Sequence, residues 1–204
     1  MSCRPIVPKG IFCLEGDWWH DLKRPSSIEP ILTILDQHYT TSPTKRHIRC
    51  DVATPPELEF YLGKWTQRRF RTHPILYLGF HGRPNNILLS DLRRKGSTIS
   101  LEWLEQRLEG LCEKRVIHFG ACRTLEIHGN RLRRFLRRTG ALAVSGYWGD
   151  VDWLKSAAFE MVLLTELQYG SLRVPGIEAV REQIFGSSGS LARELGFQML
   201  VRKP

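Results

Sequence analysis

Two side chains suited to nucleophilic and proton-transfer chemistry occupy equivalent places in this sequence. The apolar run Val116, Ile117, Phe119 ends abruptly in Gly120-Ala121-Cys122. A buried strand thus delivers a thiol to its carboxyl end, where open α/β sheets keep their chemistry. A second run, Pro74 to Phe80, ends in His81-Gly82. The separation, 122 − 81 = 41 residues, leaves room for a hairpin, a helix and a return strand, so parallel neighbours are sterically natural. If the two strands are adjacent, the imidazole reaches the sulfur and can make the thiolate that a cysteine nucleophile requires. Gly82 and Gly120 beside them allow close approach of a substrate backbone and leave main-chain N–H groups as oxyanion donors. Taken singly, Cys122 reads as a buried strand-end cysteine and His81 as a turn residue; the pairing gives them meaning. His118 lies inside its strand and reads as a core or helix-facing group. His20, His38, His47, His73 and His128 lack a strand-end setting.

The rest of the chain must position this pair. With 204 residues, 42% hydrophobic and 10% aromatic, it is expected to fill one core as a single domain over residues 1–204. No apolar run of about 18 residues occurs, and the first residues do not read as a signal peptide, so a cytoplasmic protein away from membranes is expected. The five cysteines (Cys3, Cys13, Cys50, Cys112, Cys122) form no Cys-x-x-Cys pair, which argues against a disulfide framework and a zinc site; no metal or cofactor is expected. Thirty basic residues against 21 acidic ones give a charge of +9, which raises nucleic acid as a partner. In Arg131–Arg138, however, Leu132, Phe135 and Leu136 share one helical face, so the arginines read as its solvated opposite side. An RNA or acidic partner stays open.

In chain order, Ile6–Leu14 reads as a strand with Ile11–Leu14 its stronger half, followed by the acidic, aromatic loop Glu15–Asp21. Ser26-Ser27-Ile28-Glu29 has capping-box spacing ahead of Ile31, Leu32 and Leu35. His47–Ala53 alternates as a second strand, and Thr54-Pro55-Pro56-Glu57 opens a second helix. After His81, a turn at Arg83–Asn86 and the segments Ile87–Leu89 and Ser97–Ser100 predict a small antiparallel hairpin. Ser100 then caps a helix carrying Leu101, Leu104, Leu108 and Leu111. A helix around Asn130–Arg138 stops at Gly140, and Ala141–Gly146 is a fifth strand ending in Tyr147–Trp153, another acidic and aromatic loop. Helices over Lys155–Tyr169 and Ile177–Phe185, a flexible loop at Gly186–Ser190 and an edge strand at Gly196–Val201 complete the chain. Alternating strands and helices predict an α/β protein with a mostly parallel sheet.

Leu78–Gly82, Leu88–Asp91, Thr98–Leu101, Phe119–Thr124, Phe135-Leu136 with Thr139–Ala141, and Gly146–Asp152 follow one another like the ordered blocks of the CHAT caspase-like peptidases, a group allied to caspases, metacaspases, separases and gingipains. The resemblance spans about residues 74–185. It implies a caspase-like three-layer α/β/α sandwich and a cysteine endopeptidase in which Cys122 attacks the scissile carbonyl, His81 manages the protons, and the N–H groups of Gly82 and Cys122 hold the oxyanion. A protein or peptide substrate and a protein activator or regulator follow from it, and a bacterial defence or death pathway would suit it.

The chain departs from relatives that cut after Arg or Lys: two residues before the cysteine they carry Asp, and here stands Gly120. Acid appears instead on two strand-end loops, as Glu15 and Asp17 and as Asp150 and Asp152. The expectation is a pocket for a basic side chain with Asp150 or Asp152 as counter-charge and Trp148 as a wall. Asp152 equally suits a helix cap. Asp91–Gly96 and Gly186–Ser190 are candidate self-cleavage loops. The alternatives are a non-proteolytic caspase-like interaction module and a nucleic-acid-associated protein.

Overall fold

The computed structural model describes residues 8–19, 23, 27–38, 46–91, 93 and 95–203. Its centre is a six-stranded sheet formed by β1 (Ile11–Glu15), β2 (His47–Asp51), β3 (Ile75–Gly79), β7 (Val116–Phe119), β8 (Ala143–Tyr147) and β9 (Phe197–Val201). The order is β2-β1-β3-β7-β8-β9; the first five strands run parallel and β9 joins β8 antiparallel. A parallel sheet must be covered on both faces. Accordingly every residue of β1, β3, β7 and β8 is buried.

Alternation along each strand divides two cores. On one face Ile11, Cys13, Ile75, Tyr77, Val116 and Tyr147 pack under α1 (Glu29–His38), α5 (Trp153–Tyr169), α6 (Val174–Ser187) and α7 (Gly189–Glu194). On the other Phe12, Leu14, Leu76, Leu78, Ile117 and Phe119 meet α2 (Pro55–Trp65), α3 (Leu101–Arg107) and α4 (Gly129–Thr139). The chain is therefore a three-layer α/β sandwich. No helix among the described residues is long and apolar enough to cross a membrane.

Local chemistry sets most element ends. Glu57 accepts from the Thr54 N–H at 3.0 Å, closing the expected box at the start of α2. Ser100 Oγ accepts from Trp103 N at 3.2 Å to cap α3, and Gly140 ends α4 at φ 76°, where a Cβ would be strained. Ser26 of the other expected box falls outside the described residues; Ser27 Oγ instead accepts from Glu29 N at 3.0 Å.

One expectation is extended and two are corrected. The hairpin after His81 is a three-stranded antiparallel sheet of β4 (His81–Arg83), β5 (Asn86–Leu88) and β6 (Thr98–Ser100), because Pro84-Asn85, with Asn85 at φ 65°, supplies the positive φ of a tight turn and returns the chain at once. The α3 helix stops at Arg107, and Leu111 is exposed rather than part of its stripe. Gly186–Ser190 is not a loop: α6 runs through Ser187 and α7 begins at Gly189, held by Ser188 N to Ile184 O at 2.9 Å. Local composition there yields to packing of Ile184, Ala192 and Leu195 on the core.

Candidate functional site

β3 and β7 are adjacent and in register from Ile75–Val116 to Leu78–Phe119, so the segments that follow them leave the same sheet edge side by side. Past the strands, Gly120 N donates to Leu78 O at 3.0 Å and Gly16 N to Gly79 O at 2.8 Å. The β4–β5 turn is pinned to the cysteine loop: Asn85 N donates to Thr124 O at 3.3 Å and Thr124 Oγ1 to Asn86 O at 3.2 Å. The approach is so close that a Cβ built on Gly82 would stand 2.0 Å from the Cys122 carbonyl oxygen. Only glycine permits that contact.

The turn holding the thiol is tight. Arg123, immediately after Cys122, has φ 55°, a left-handed conformation that a side chain rarely adopts and that clusters at functional sites. It is held by Arg123 N to Gly149 O at 3.0 Å and by the Arg123 guanidinium on Glu126 at 2.6 Å. Among the described residues the Cys122 N–H has no hydrogen-bond partner, which fits one of the two expected oxyanion donors. Gly82, the other, lies in the β4–β5 ladder opposite Ile87.

His81 is oriented by the first strand's loop. Its Nε2 lies 2.6 Å from the Trp18 carbonyl oxygen, and the two rings meet edge-on at 5.5 Å. A carbonyl only accepts, so Nε2 carries the proton and, in the neutral ring, Nδ1 carries the lone pair. Trp18 is itself anchored, its indole N–H donating to Glu15 Oε1 at 2.8 Å.

His81 and Cys122 both line one cavity of about 150 Å³. His81 is exposed and Cys122 half-buried, so they form its rim. Trp18, Trp19, Val151 and Trp153 add aromatic and aliphatic wall. At the bottom lie Tyr77 and Glu160, both buried. Glu160, on α5, accepts from Tyr77 OH at 2.7 Å on Oε2 and from Tyr147 OH at 2.9 Å on Oε1. His118 Nε2 stands 3.2 Å from Oε1, and Ser145 Oγ lies 3.0 Å from its Nδ1. Burial first, then the nearby carboxylate, pushes both tyrosine hydroxyls well above their usual range, so they stay neutral donors. The row Tyr77, His118, Ser145 is one rung across β3, β7 and β8, on the face under α5.

Residues 8–201 match the model of a family of unknown function, DUF6642. The chain belongs to the DUF6642 family. No curated protein matches it.

In this DUF6642 chain the acids expected to line the pocket do other work. Glu15 is fully buried and does not reach the cavity; it accepts from Ser27 Oγ at 2.6 Å, Ile28 N at 2.8 Å and Arg49 Nε at 2.8 Å as well as from Trp18. Asp17 closes its own turn, accepting from Trp19 N at 3.1 Å. Asp152 caps α5, accepting from Lys155 N at 2.9 Å. Asp150 is exposed, 3.9 Å from Arg123, and Trp148 points to solvent at 51% exposure; neither lines the cavity. The acid that does line it, Glu160, lies on the helix expected over Lys155–Tyr169 and is not among the acids expected there. His118, by contrast, faces the helix layer as expected.

Three of the arginines of the basic helix are paired with acids, whereas Arg133 and Arg137 line a groove with Arg202 and Lys203. Arg131 pairs with Glu102 and Glu105, Arg134 with Glu105, and Arg138 with Glu105 and with Glu109 just past α3, so these three arginines tie α4 to α3 and the turn after it.

Proposed function

We propose that this chain is a cysteine endopeptidase of the caspase-like type, working through a His81/Cys122 dyad on protein or peptide substrates. The observation that supports it most is the fit of Gly82 against the Cys122 carbonyl, which seats the imidazole-bearing and thiol-bearing segments on the rim of one cavity. The strand order, with both segments leaving the carboxyl edge of a parallel sheet, suits that reading.

In the proposed reaction the Cys122 thiol gives its proton to His81 Nδ1 while Trp18 O holds Nε2–H in place. The sulfur adds to the scissile carbonyl, and the oxyanion takes the Cys122 N–H and an N–H from the Gly82 segment. Collapse breaks the C–N bond as His81 protonates the leaving amine, leaving a thioester. Water, deprotonated by His81, then adds to the thioester, and the acid product leaves as the thiol recovers its proton. A protein activator is part of the proposal.

The test is labelling with acyloxymethyl-ketone probes bearing Arg, Lys, Leu or Asp, on the wild type, Cys122→Ala and His81→Ala, with the site mapped by mass spectrometry. Labelling at Cys122 that is lost in His81→Ala is the expected result. Labelling confined to the other cysteines would refute the peptidase and favour an interaction module.

A further inference from the structure

We infer that the cavity beside Cys122 is a slot for one basic side chain, arginine or lysine, with Glu160 as its counter-charge. That the ligand is the residue preceding the scissile bond rests on the peptidase reading above; the slot itself does not. Its volume, about 150 Å³, is that of cavities that admit a benzene ring, so it holds a single side chain.

The floor carries the sign of the charge. Glu160 is 3% exposed yet lines the cavity. A carboxylate offers about four lone-pair sites; Tyr147 and His118 occupy two on Oε1 and Tyr77 one on Oε2. One direction on Oε2 is left for a ligand. Among the described residues neither lysine nor arginine pairs with Glu160, whose one ion-pair partner is His118. The network supplies hydrogen-bond donors, with His118 a cation only when protonated, and burying a carboxylate is costly unless it is hydrogen-bonded and paired. A guanidinium or ammonium entering past Cys122 completes the pair. The walls suit the same ligand, because Trp18, Trp19 and Trp153 line the cavity, and aromatic side chains favour a cation and its methylene stem. An aspartate would be repelled, and a neutral side chain of similar length would seal the carboxylate without a partner.

The probes are benzamidine and its uncharged analogue benzamide, titrated into wild type and Glu160→Gln by calorimetry and thermal shift. Wild type is expected to bind benzamidine about tenfold or more tightly over benzamide, the scale of one charge-assisted hydrogen bond, and Glu160→Gln to lose the preference. Because that change touches the Tyr77–Tyr147–His118 network, Ala157→Leu narrows the slot from its wall without altering those partners, and it should abolish benzamidine binding with unchanged circular dichroism. Fluorogenic peptides with Arg, Lys, Gln, Leu or Asp before the cut complete the set. Cleavage after Arg and Lys that falls with Glu160→Gln supports the inference. Equal binding of the two probes, or cleavage after neutral residues by an enzyme that labels at Cys122, overturns the slot and leaves the peptidase standing. Selective benzamidine binding without any cleavage or labelling supports the slot, which stands independently of the peptidase.

Discussion

Gly82→Ala is the sharpest perturbation of the proposed dyad, because it adds one methyl at the contact that brings the two segments together. That Cβ would lie 2.0 Å from Cys122 O, 2.5 Å from Thr124 Oγ1 and 3.1 Å from the Cys122 carbonyl carbon, where real Cβ atoms do not come under 3.0 Å. The obstructing oxygen is backbone, and the Thr124 hydroxyl is committed to Asn86 O, so relief requires the two chains to part by about 3.0 − 2.0 = 1 Å. Overpacking of this kind costs about 1–3 kcal/mol, and a backbone clash belongs at the upper end. A misplacement of about 1 Å lowers the rate of a positioned reaction by roughly 10²-fold. Urea unfolding measures the first quantity; iodoacetamide labelling at Cys122 and peptide cleavage measure the second. Gly63→Ala is the control: a Cβ there, inside α2, meets nothing within 4 Å, and it should raise stability by about 0.5–1 kcal/mol through helix entropy. If Gly82→Ala unfolds at the wild-type midpoint and labels at the wild-type rate, the two segments are not in the contact described.

Three further outcomes follow from named groups. Glu15→Gln leaves Arg49 and three other donors around a weakened acceptor; since Arg49 keeps Asp51 and Glu29, a loss of about 1–3 kcal/mol in chemical unfolding is expected, with a shifted pH profile of Cys122 alkylation as Trp18 loosens its hold on His81, and an unchanged midpoint would count against Glu15 holding these groups together. Partial burial pushes Glu102 up, but hydrogen bonds from Asn85 and Arg131 outweigh it and bring its pKa to about 2 from 4.5; its contribution is therefore present above pH 4.5 and lost as pH falls toward 2, so Glu102→Gln should flatten that part of the acid-unfolding curve. Burial, only partly offset by Arg115, pushes Cys112 up to about 12, and burial pushes Cys13 well up, so native protein at pH 8 should alkylate at Cys122 while Cys13 and Cys112 react only after unfolding, as peptide mapping would reveal.

Much of this architecture is written in local pattern. Buried runs such as Ile75–Gly79 and Val116–Phe119 announce strands because both faces are covered, and Thr54 with Glu57, Ser100 and Gly140 mark helix ends through their own hydrogen bonds. That the His81 and Cys122 segments leave one sheet edge and border one cavity followed from two strand ends read as neighbours. The pocket acid did not, since a glutamate among the apolar neighbours of α5 carries no local sign of where it points. A trace of it was there: Tyr77, His118 and Ser145 are polar residues at matching positions of apolar strands, and such a rung needs a partner above it. Likewise the glycines and serines of 186–190 suggest a loop by composition, whereas the core contacts of Ile184 and Ala192 on either side leave only Ser188 outside the two helices.

The pocket floor also has a place in time. The Tyr77–Glu160 bond joins residues 83 apart in sequence, and His118–Glu160 joins residues 42 apart. A ribosome that has already released the imidazole and the thiol must add 160 − 122 = 38 more residues before the floor exists, and α5 must then dock on strands made much earlier. In the proposed peptidase the sulfur is thus synthesised well before the slot inferred to select its target. Only the finished sandwich joins the two.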